Sequence, residues 1–544
     1  MAPNNYSQTS VGNKEYTKAA IVVIGAGISD SLKGSAPPST SSRIISIISS
    51  SLRKVLGSAE HGEIINTRAV AAMNYLRMVA AKYNLYQYIR FSSEVQESRW
   101  DDVKNEWCTK VKVIGSKDVE FGEEYCITSD FLVSGVGQLN YPKYPSIPGI
   151  DSFKGKMMHS ARWDWTYDYK GKRIGIIGNG ATAAQIIPEV AGDASHLTIF
   201  QRTANWVVPR MDLAVWKPFR TIFRYCPPVQ WRLRASIMDF REAVHAVMRD
   251  PKSSTADFMR KASLHMMHKA LPDNPNLWEK LTPDYPPGCK RLILSDDYFP
   301  TLARDNVSLE TGHIDRISEN GIIVDGVEQE LDLIILATGF RTVEFMHPIK
   351  IYGRNGKPLS EIWNGGARAL YGVAVEDLPN FGMLYGPNTN LGHNSIILMI
   401  EAQSRYMLAM IKEVLRARDR GQTLAIAPKP GKVEEFNSNL QETLSSTAFA
   451  SPNCQSWYKT AEGLITNNWS GTVVDYQKLL SKLDWNDFDL EGSGAERIRS
   501  TRVANLGRVR EESLLGLKGL TVVSALALAG TLAYKAHHFL PRWR

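Results

Sequence analysis

A chain of 544 residues with 43% hydrophobic and 22% charged content can bury a large core, and at ~150 residues per domain it has room for two to four domains. Residues 491–544 hold nine Lys/Arg against four Asp/Glu, so five of the eight net positive charges sit in the tail. The body is near neutral, which argues against nucleic acid as a partner.

Five cysteines are scattered, with no CxxC spacing. They support neither a disulfide framework nor a zinc site, predict no bound metal, and suit a reducing compartment. The opening MAPNNYSQTSVGNKEYTK lacks the apolar core of a secretory signal, so the body is expected in the cytosol. No repeat of 20–50 residues is visible, which excludes solenoids and propellers.

Three apolar runs end in glycine: 19–27 (AAIVVIGAG), 173–180 (RIGIIGNG) and 331–339 (LDLIILATG). Such runs predict strands covered on both faces. The fold class expected is α/β, with two doubly wound Rossmann-like units. Gly25 and Gly27 open a nucleotide turn after the first run, but residues 31–60 continue with SLKGSAPP and a Ser/Ile-rich stretch. Pro37 and Pro38 forbid a normal helix there. Glu60 and Glu63 are the only acids from 31 to 70, and neither ends a convincing strand. The usual ribose-binding acid is therefore missing.

The second run leads into Gly178-Asn179-Gly180-Ala181-Thr182-Ala183, with a predicted helix behind it. Gly178 permits the tight turn, Gly180 lets backbone N–H groups approach a pyrophosphate, and Ala183 is small enough for helix–strand packing. The next predicted strand, 196–200, ends at Gln201-Arg202-Thr203 with no acid beside the cation. That favours a 2′-phosphate, hence NADPH, over NADH. The alternative is a solvated surface charge.

Residues 216–285 carry Arg, Met and aromatics at the spacing of amphipathic helices, with core packing as the default role of the apolar ones. A long helix is predicted over 395–418. Asn394 and Ser395 stand at its start, where N–H groups could face a cofactor or simply be capped.

Between the halves stands Phe153-Lys154-Gly155-Lys156-Met157-Met158-His159-Ser160-Ala161-Arg162-Trp163-Asp164. This FxGxxxHxxxW(D) string resembles the fingerprint of Baeyer–Villiger monooxygenases, flavoproteins related to the flavin-containing monooxygenases. Gly288-Cys289-Lys290-Arg291-Leu292, Leu336-Ala337-Thr338-Gly339-Phe340, GPNTNLGHNSI (386–396) and Cys454-Gln455-Ser456-Trp457-Tyr458 resemble the family in the same order. The likeness covers about 70–490 and 19–29, and its subtype is similar to fungal and bacterial enzymes of secondary metabolism, polyketide pathways included.

The resemblance implies FAD reduced by NADPH, uptake of O2 as a flavin peroxide, and attack on an apolar ketone to give an ester or lactone. It implies Arg291 as the catalytic cation beside that peroxide, Lys290 joining Arg202 at the 2′-phosphate, and Trp457 against the nicotinamide. His159 and Trp163 would link domains. An FAD domain is expected over 19–150 and 331–490, atypical at 30–70. An NADP domain is expected over 151–215 and 286–330, with a helical insertion at 216–285. The family's GGTW-like stretch, Tyr-Pro-Gly and Asp are not visible between Asp30 and Tyr75. Two alternatives stay open: heteroatom oxidation or hydroxylation by the same chemistry, and a non-catalytic relic, or faulty gene model, with an impaired FAD site.

After a basic linker at 491–513, residues 519–534 are uncharged for 16 residues, or ~24 Å as a helix. Extended over 514–535 with Lys518 snorkelling, the segment reaches the ~30 Å needed to cross a bilayer. The expectation is a C-terminal single-pass anchor with membrane contact and the catalytic body on the cytosolic side; the alternative is a peripheral amphipathic helix or a dimerisation helix that uses its small residues.

Overall fold

A computed structural model describes residues 18–25, 77–91, 93–114, 124–139, 141–210, 217–500 and 502–513. The first apolar run forms β1 (Lys18–Ile24) and ends at Gly25 with φ +124°, a conformation open to glycine alone at little cost. Gly27 and the unusual stretch after Asp30 lie outside the described residues.

β2 (Ser93–Asp101), β3 (Glu106–Val113) and β4 (Glu124–Ser134) form an antiparallel meander. On β3 every second residue turns inward, with Trp107, Thr109 and Val111 buried. That period of two marks a sheet with one covered face. The far half of β4 runs parallel to β1, pairing Ile21 with Phe131 and Val23 with Val133. The first unit is thus a mixed sheet, where the Gly-bounded runs had predicted a parallel one.

β5 (Lys156–His159), β6 (Arg173–Ile177) and β7 (His196–Phe200) follow, with α1 (Ala181–Val190) between the last two. β8 (Val207–Val208) and β9 (Ile293–Leu294) pair in parallel. Between them lie four helices: α2 (Lys217–Tyr225), α3 (Pro227–Arg249), α4 (Ser254–Ala270) and α5 (Pro275–Leu281). The chain leaves and re-enters the unit at one place. β10 (Val307–Glu310) precedes a small antiparallel sheet of β11 (Ile314–Ile317), β12 (Gly321–Val324) and β13 (Val327–Glu330), and β14 (Leu333–Leu336) then returns.

The second sheet has the order β10-β7-β6-β14-β5 and is parallel throughout. Ile174, Ile176, Leu197, Ile199 and all four residues of β14 are fully buried, as expected when a parallel sheet is covered on both faces. β15 (Lys350–Tyr352) and β16 (Phe381–Met383) return to the first sheet. α6 (Ile396–Arg418) then crosses it. A Cβ on Gly382 would stand 2.2 Å from the sulfur of Met407, so only glycine lets this helix pack so closely. α7 (Val473–Leu479) closes the core beside α6.

Residues 502–513 strap this body to the helical segment. Val503–Asn505 pairs with Lys482–Asp484, Arg234 meets Glu511 at 3.2 Å, and Asp239 accepts from the Ser513 N–H at 3.1 Å.

Two expectations are corrected. The cysteines are not all solitary: Cys108 bonds Cys126 across β3 and β4, and Cys289 bonds Cys454 over 165 residues of sequence. Pairs made by the fold leave no local spacing to read. The membrane anchor and membrane location are also overturned. No helix among the described residues is long and apolar enough to cross a membrane, and the segment 514–535 that suggested one lies outside them.

Ile176 makes the dependence on the parallel sheet testable. Ile176→Ala should lower unfolding free energy by about 2–5 kcal/mol, as large-to-small core changes do. Urea titration would show it, and an unchanged midpoint would place the core elsewhere.

Candidate active site where the two sheets meet

The nucleotide turn follows from β6 and β7. Gly178 donates its N–H to the Phe200 carbonyl at 3.0 Å, with φ +109°. A Cβ there would lie 2.6 Å from the Ala337 carbonyl oxygen, so glycine is required. At Gly180 an added Cβ would meet nothing within 4 Å: the space above the turn is open. Gly180 is also the N-cap of α1 and offers no side-chain cap, so the first N–H groups of the helix remain available to an anion. Thr182 is half-buried, and Ala183 is fully buried in the helix–strand contact.

Asn179 ties this turn to the end of the next strand, donating to Gln201 Oε1 at 2.7 Å and to the Thr203 carbonyl at 2.9 Å. Arg202, between those two anchors, is exposed. Lys290 comes from the far side of the helical segment, its Nζ 4.5 Å from the centre of the Tyr285 ring. Burial holds the Lys290 pKa below its ordinary value, the charge of Arg202 lowers it further, and Asp284 offsets less than either. Two cations drawn together in a partly desolvated place are an arrangement that a bound anion would stabilise.

Arg291, the next residue, is exposed. Burial pushes the Tyr385 phenol up to about 12, while the positive charge of Arg291 works against that shift. Burial raises Tyr458 likewise, again opposed by Arg291. The positive charge of Arg291 is thus felt at both phenols. Trp457 touches Tyr458, ring centres 4.3 Å apart, and its carbonyl accepts from Thr342 Oγ1 at 2.7 Å. The Cys289–Cys454 bond fastens the segment carrying Lys290 and Arg291 to the one carrying Trp457.

Beneath these residues lies a buried amide network that the sequence reading did not single out. Asn467 donates to Gln138 Oε1 at 2.9 Å and to the Thr342 carbonyl at 3.2 Å. Gln138 donates to the Tyr385 carbonyl at 3.2 Å. Asn388 donates to the carbonyls of Ile465 and Asn468, and Tyr385 Oη donates to Asn390 Oδ1 at 2.7 Å. Four loops are joined in this way: after β4, after β14, before α6 and before α7. The available signal was the asparagine pairing of GPNTN with TNNWS, since buried amides in loops usually serve backbone groups.

The FxGxxxHxxxW(D) residues build the neck between the sheets. A Cβ on Gly155 would lie 2.5 Å from the Phe153 ring and 2.8 Å from the Asp332 carbonyl oxygen. His159 is buried between Tyr144 and Phe340. Its Nδ1 accepts from the Ala161 N–H at 3.1 Å, which leaves the ring proton on Nε2. Burial lowers its pKa, keeping the imidazole neutral. Trp163 packs near Trp165 and Tyr169. Asp164 pairs with Lys156 at 2.6 Å, and that hydrogen bond, with those from Thr166, holds its carboxyl well below the usual range. None of the five residues points to proton transfer with substrate. Asn394 turns away from the amide network: Oδ1 accepts from the Ser395 N–H at 2.8 Å, and Nδ2 donates to Glu242 of α3 at 2.6 Å.

The open glycine turn, the uncapped start of α1 and the cation pair fit a dinucleotide bearing an extra phosphate. Comparison with known proteins agrees. The FMO-like, flavin-binding monooxygenase-like family model matches residues 63–239. The chain is 47% identical to the FAD-binding monooxygenase ktnD of Aspergillus niger over 97% of this chain and 91% of that protein. It is 35% identical to a Baeyer–Villiger monooxygenase of Streptomyces coelicolor, over 76% of this chain and 77% of the other. A crystal structure of OTEMO in complex with FAD and NADP superposes with a TM-score of 0.66 at 26% identity, covering 77% of this chain and 84% of that one. The chain therefore belongs to the Baeyer–Villiger group of flavin-binding monooxygenases, and its cofactors are FAD and NADPH.

The amide network has a measurable consequence. Asn467→Leu should destabilise the fold by about 1–3 kcal/mol for each buried group it leaves unpaired. Equilibrium urea unfolding checks this, and an unchanged midpoint would mean that the loops are held by other contacts.

Proposed function

We propose that this enzyme catalyses Baeyer–Villiger oxidation of a bulky, apolar ketone. Ketone, O2, NADPH and a proton give ester or lactone, NADP+ and water. The substrate is placed among the ketones of secondary metabolism, polyketides included. The observation that carries this reading is Arg291: an open cation directly beside the Lys290–Arg202 pair and above the buried amide network. The 35% identity to a protein named Baeyer–Villiger monooxygenase supports it.

FAD, when bound, supplies the oxygen-activating chemistry. The chain positions and neutralises charge around it. In this reading the first sheet holds FAD, with the pyrophosphate at Gly25 and Gly27, and the second holds NADPH. Gly178, Gly180 and the start of α1 receive the NADPH pyrophosphate. Arg202 and Lys290 hold the 2′-phosphate, and Trp457 lies against the nicotinamide end. Arg291 offsets negative charge that develops beside the ketone, where water is scarce and an uncompensated charge would be costly. His159 and Trp163 keep the two halves in register.

Assay of the purified holoenzyme with ketone and sulfide probes tests the reaction class. Ester or lactone formation is expected; oxidation of sulfide alone would favour heteroatom chemistry, and protein that takes up no FAD would favour a relic. Arg291→Ala should retain flavin and lower ketone oxidation about 10²–10³-fold, the usual cost of losing one preorganised charge-stabilising group. Lys290→Met should raise the KM for NADPH about tenfold or more while leaving thermal stability unchanged or higher, because it removes a buried, repelled charge. A stability loss with unchanged KM would refute the phosphate role.

A further inference from the structure

Glu242 is a buried carboxylate on the helical segment that none of the roles above uses. Its side chain is 14% exposed, so its charge must be compensated locally. Three hydrogen-bond donors surround it, with the His393 ring beside them. Asn394 Nδ2 lies at 2.6 Å, the N–H groups of Val473 and Val474 at 3.4 and 3.3 Å, and His393 Nε2 at 3.5 Å. The two backbone donors open α7, whose N-cap Thr472 and Asp475 form a capping box.

The donors come from two places in the first sheet's body, the turn before α6 and the start of α7, and converge on one atom group of α3. His393 is 2% exposed at its side chain. His245, one turn beyond Glu242, packs against the His393 ring, tilted with centres 5.0 Å apart, and contacts the Ser470 carbonyl at 3.0 Å. Asn394 also places Nδ2 3.2 Å from Met238 Sδ, and a Cβ on Gly392 would stand 2.8 Å from Met248 Cε. Residues 392–394 are therefore seated on α3. Asn390, which receives Tyr385 Oη in the network facing Arg291, lies three residues before His393.

We infer that Glu242 is a positioning residue for the reaction. From the helical segment it fixes the His393–Asn394 turn, and through that turn it keeps Tyr385 and Asn390 in place opposite Arg291. The inference rests on the functional reading above. A plain packing contact between α3 and the turn would not need an ionised group. A carboxylate with three converging hydrogen-bond donors fixes direction as well as distance.

The test uses full-length holoenzyme carrying E242Q, which keeps the shape and removes the charge, with N394A and the double variant beside it. Flavin content and the KM for NADPH should stay within about twofold, because neither cofactor site includes Glu242. Product formed per NADPH consumed should fall about tenfold, with the difference appearing as hydrogen peroxide, since small misplacements near a reacting centre carry costs of this order. N394A should show the same loss, and the double variant little more than either alone.

Full coupling in E242Q, or fully additive losses in the double variant, would overturn the inference. Amide hydrogen exchange across 388–398 gives a readout independent of turnover. It should quicken about tenfold in E242Q, and unchanged exchange would likewise overturn the inference. Failure of the functional reading is distinguishable, because wild-type protein would then lack flavin or ketone oxidation while the exchange measurement still reports on Glu242.

Discussion

The arrangement depends on the interlock of Asn467, Gln138, Asn388 and Asn390 where loops from both sheets meet. Asn467 and Asn468 are fully buried, and so are several backbone groups they serve. Loops normally stay at the surface because their polar backbone needs water. Here side-chain amides replace that water, so four irregular segments can lie inside the molecule. The half-buried Trp457 is joined to this base through Thr342, and the nucleotide turn at Gly178 is joined to it through β14 and Thr342.

That layer leaves one buried amide donor, Asn468 Nδ2, without a partner, and a second place of unmet polarity lies at Lys290, Arg202 and the start of α1. Lys290 and Arg202 repel each other in a partly desolvated place, while α1 begins without a side-chain cap. Each feature costs stability in the free protein, and in the proposed reading a phosphate-bearing cofactor would offset that cost. Local disagreement with the rules of folding is expected at sites that exist for a ligand. The Cys289–Cys454 bond keeps the strained segment and the Trp457 segment from parting. Glu242 extends the same logic outward, letting a helical segment with little contact to the sheets hold one turn of the active region.

Much of this was legible in the chain. Leu333–Leu336 and Ile174–Ile177 read as buried parallel strands because every residue is apolar or small, and the turn at Gly178 announced itself through strand, glycines and helix together. The helix predicted over 395–418 forms from Ile396 to Arg418. The β2–β3–β4 meander escaped notice because its strands alternate apolar with charged residues, as in KVKV, and end in no glycine. The cysteine pairs and the asparagine interlock were invisible for a different reason. Their partners are 18 to 165 residues apart for the former and up to 329 for the latter, and proximity of that kind is made by the fold.

The central claim is that two nucleotide sites cooperate in one redox cycle, with the NADP site selective for the 2′-phosphate. Anaerobic titration of the purified protein, followed through its flavin absorbance, addresses this most directly. The account requires bound flavin that is bleached by one equivalent of NADPH and reduced far more slowly by NADH. Protein without flavin absorbance, or reduced equally well by both nucleotides, would contradict it.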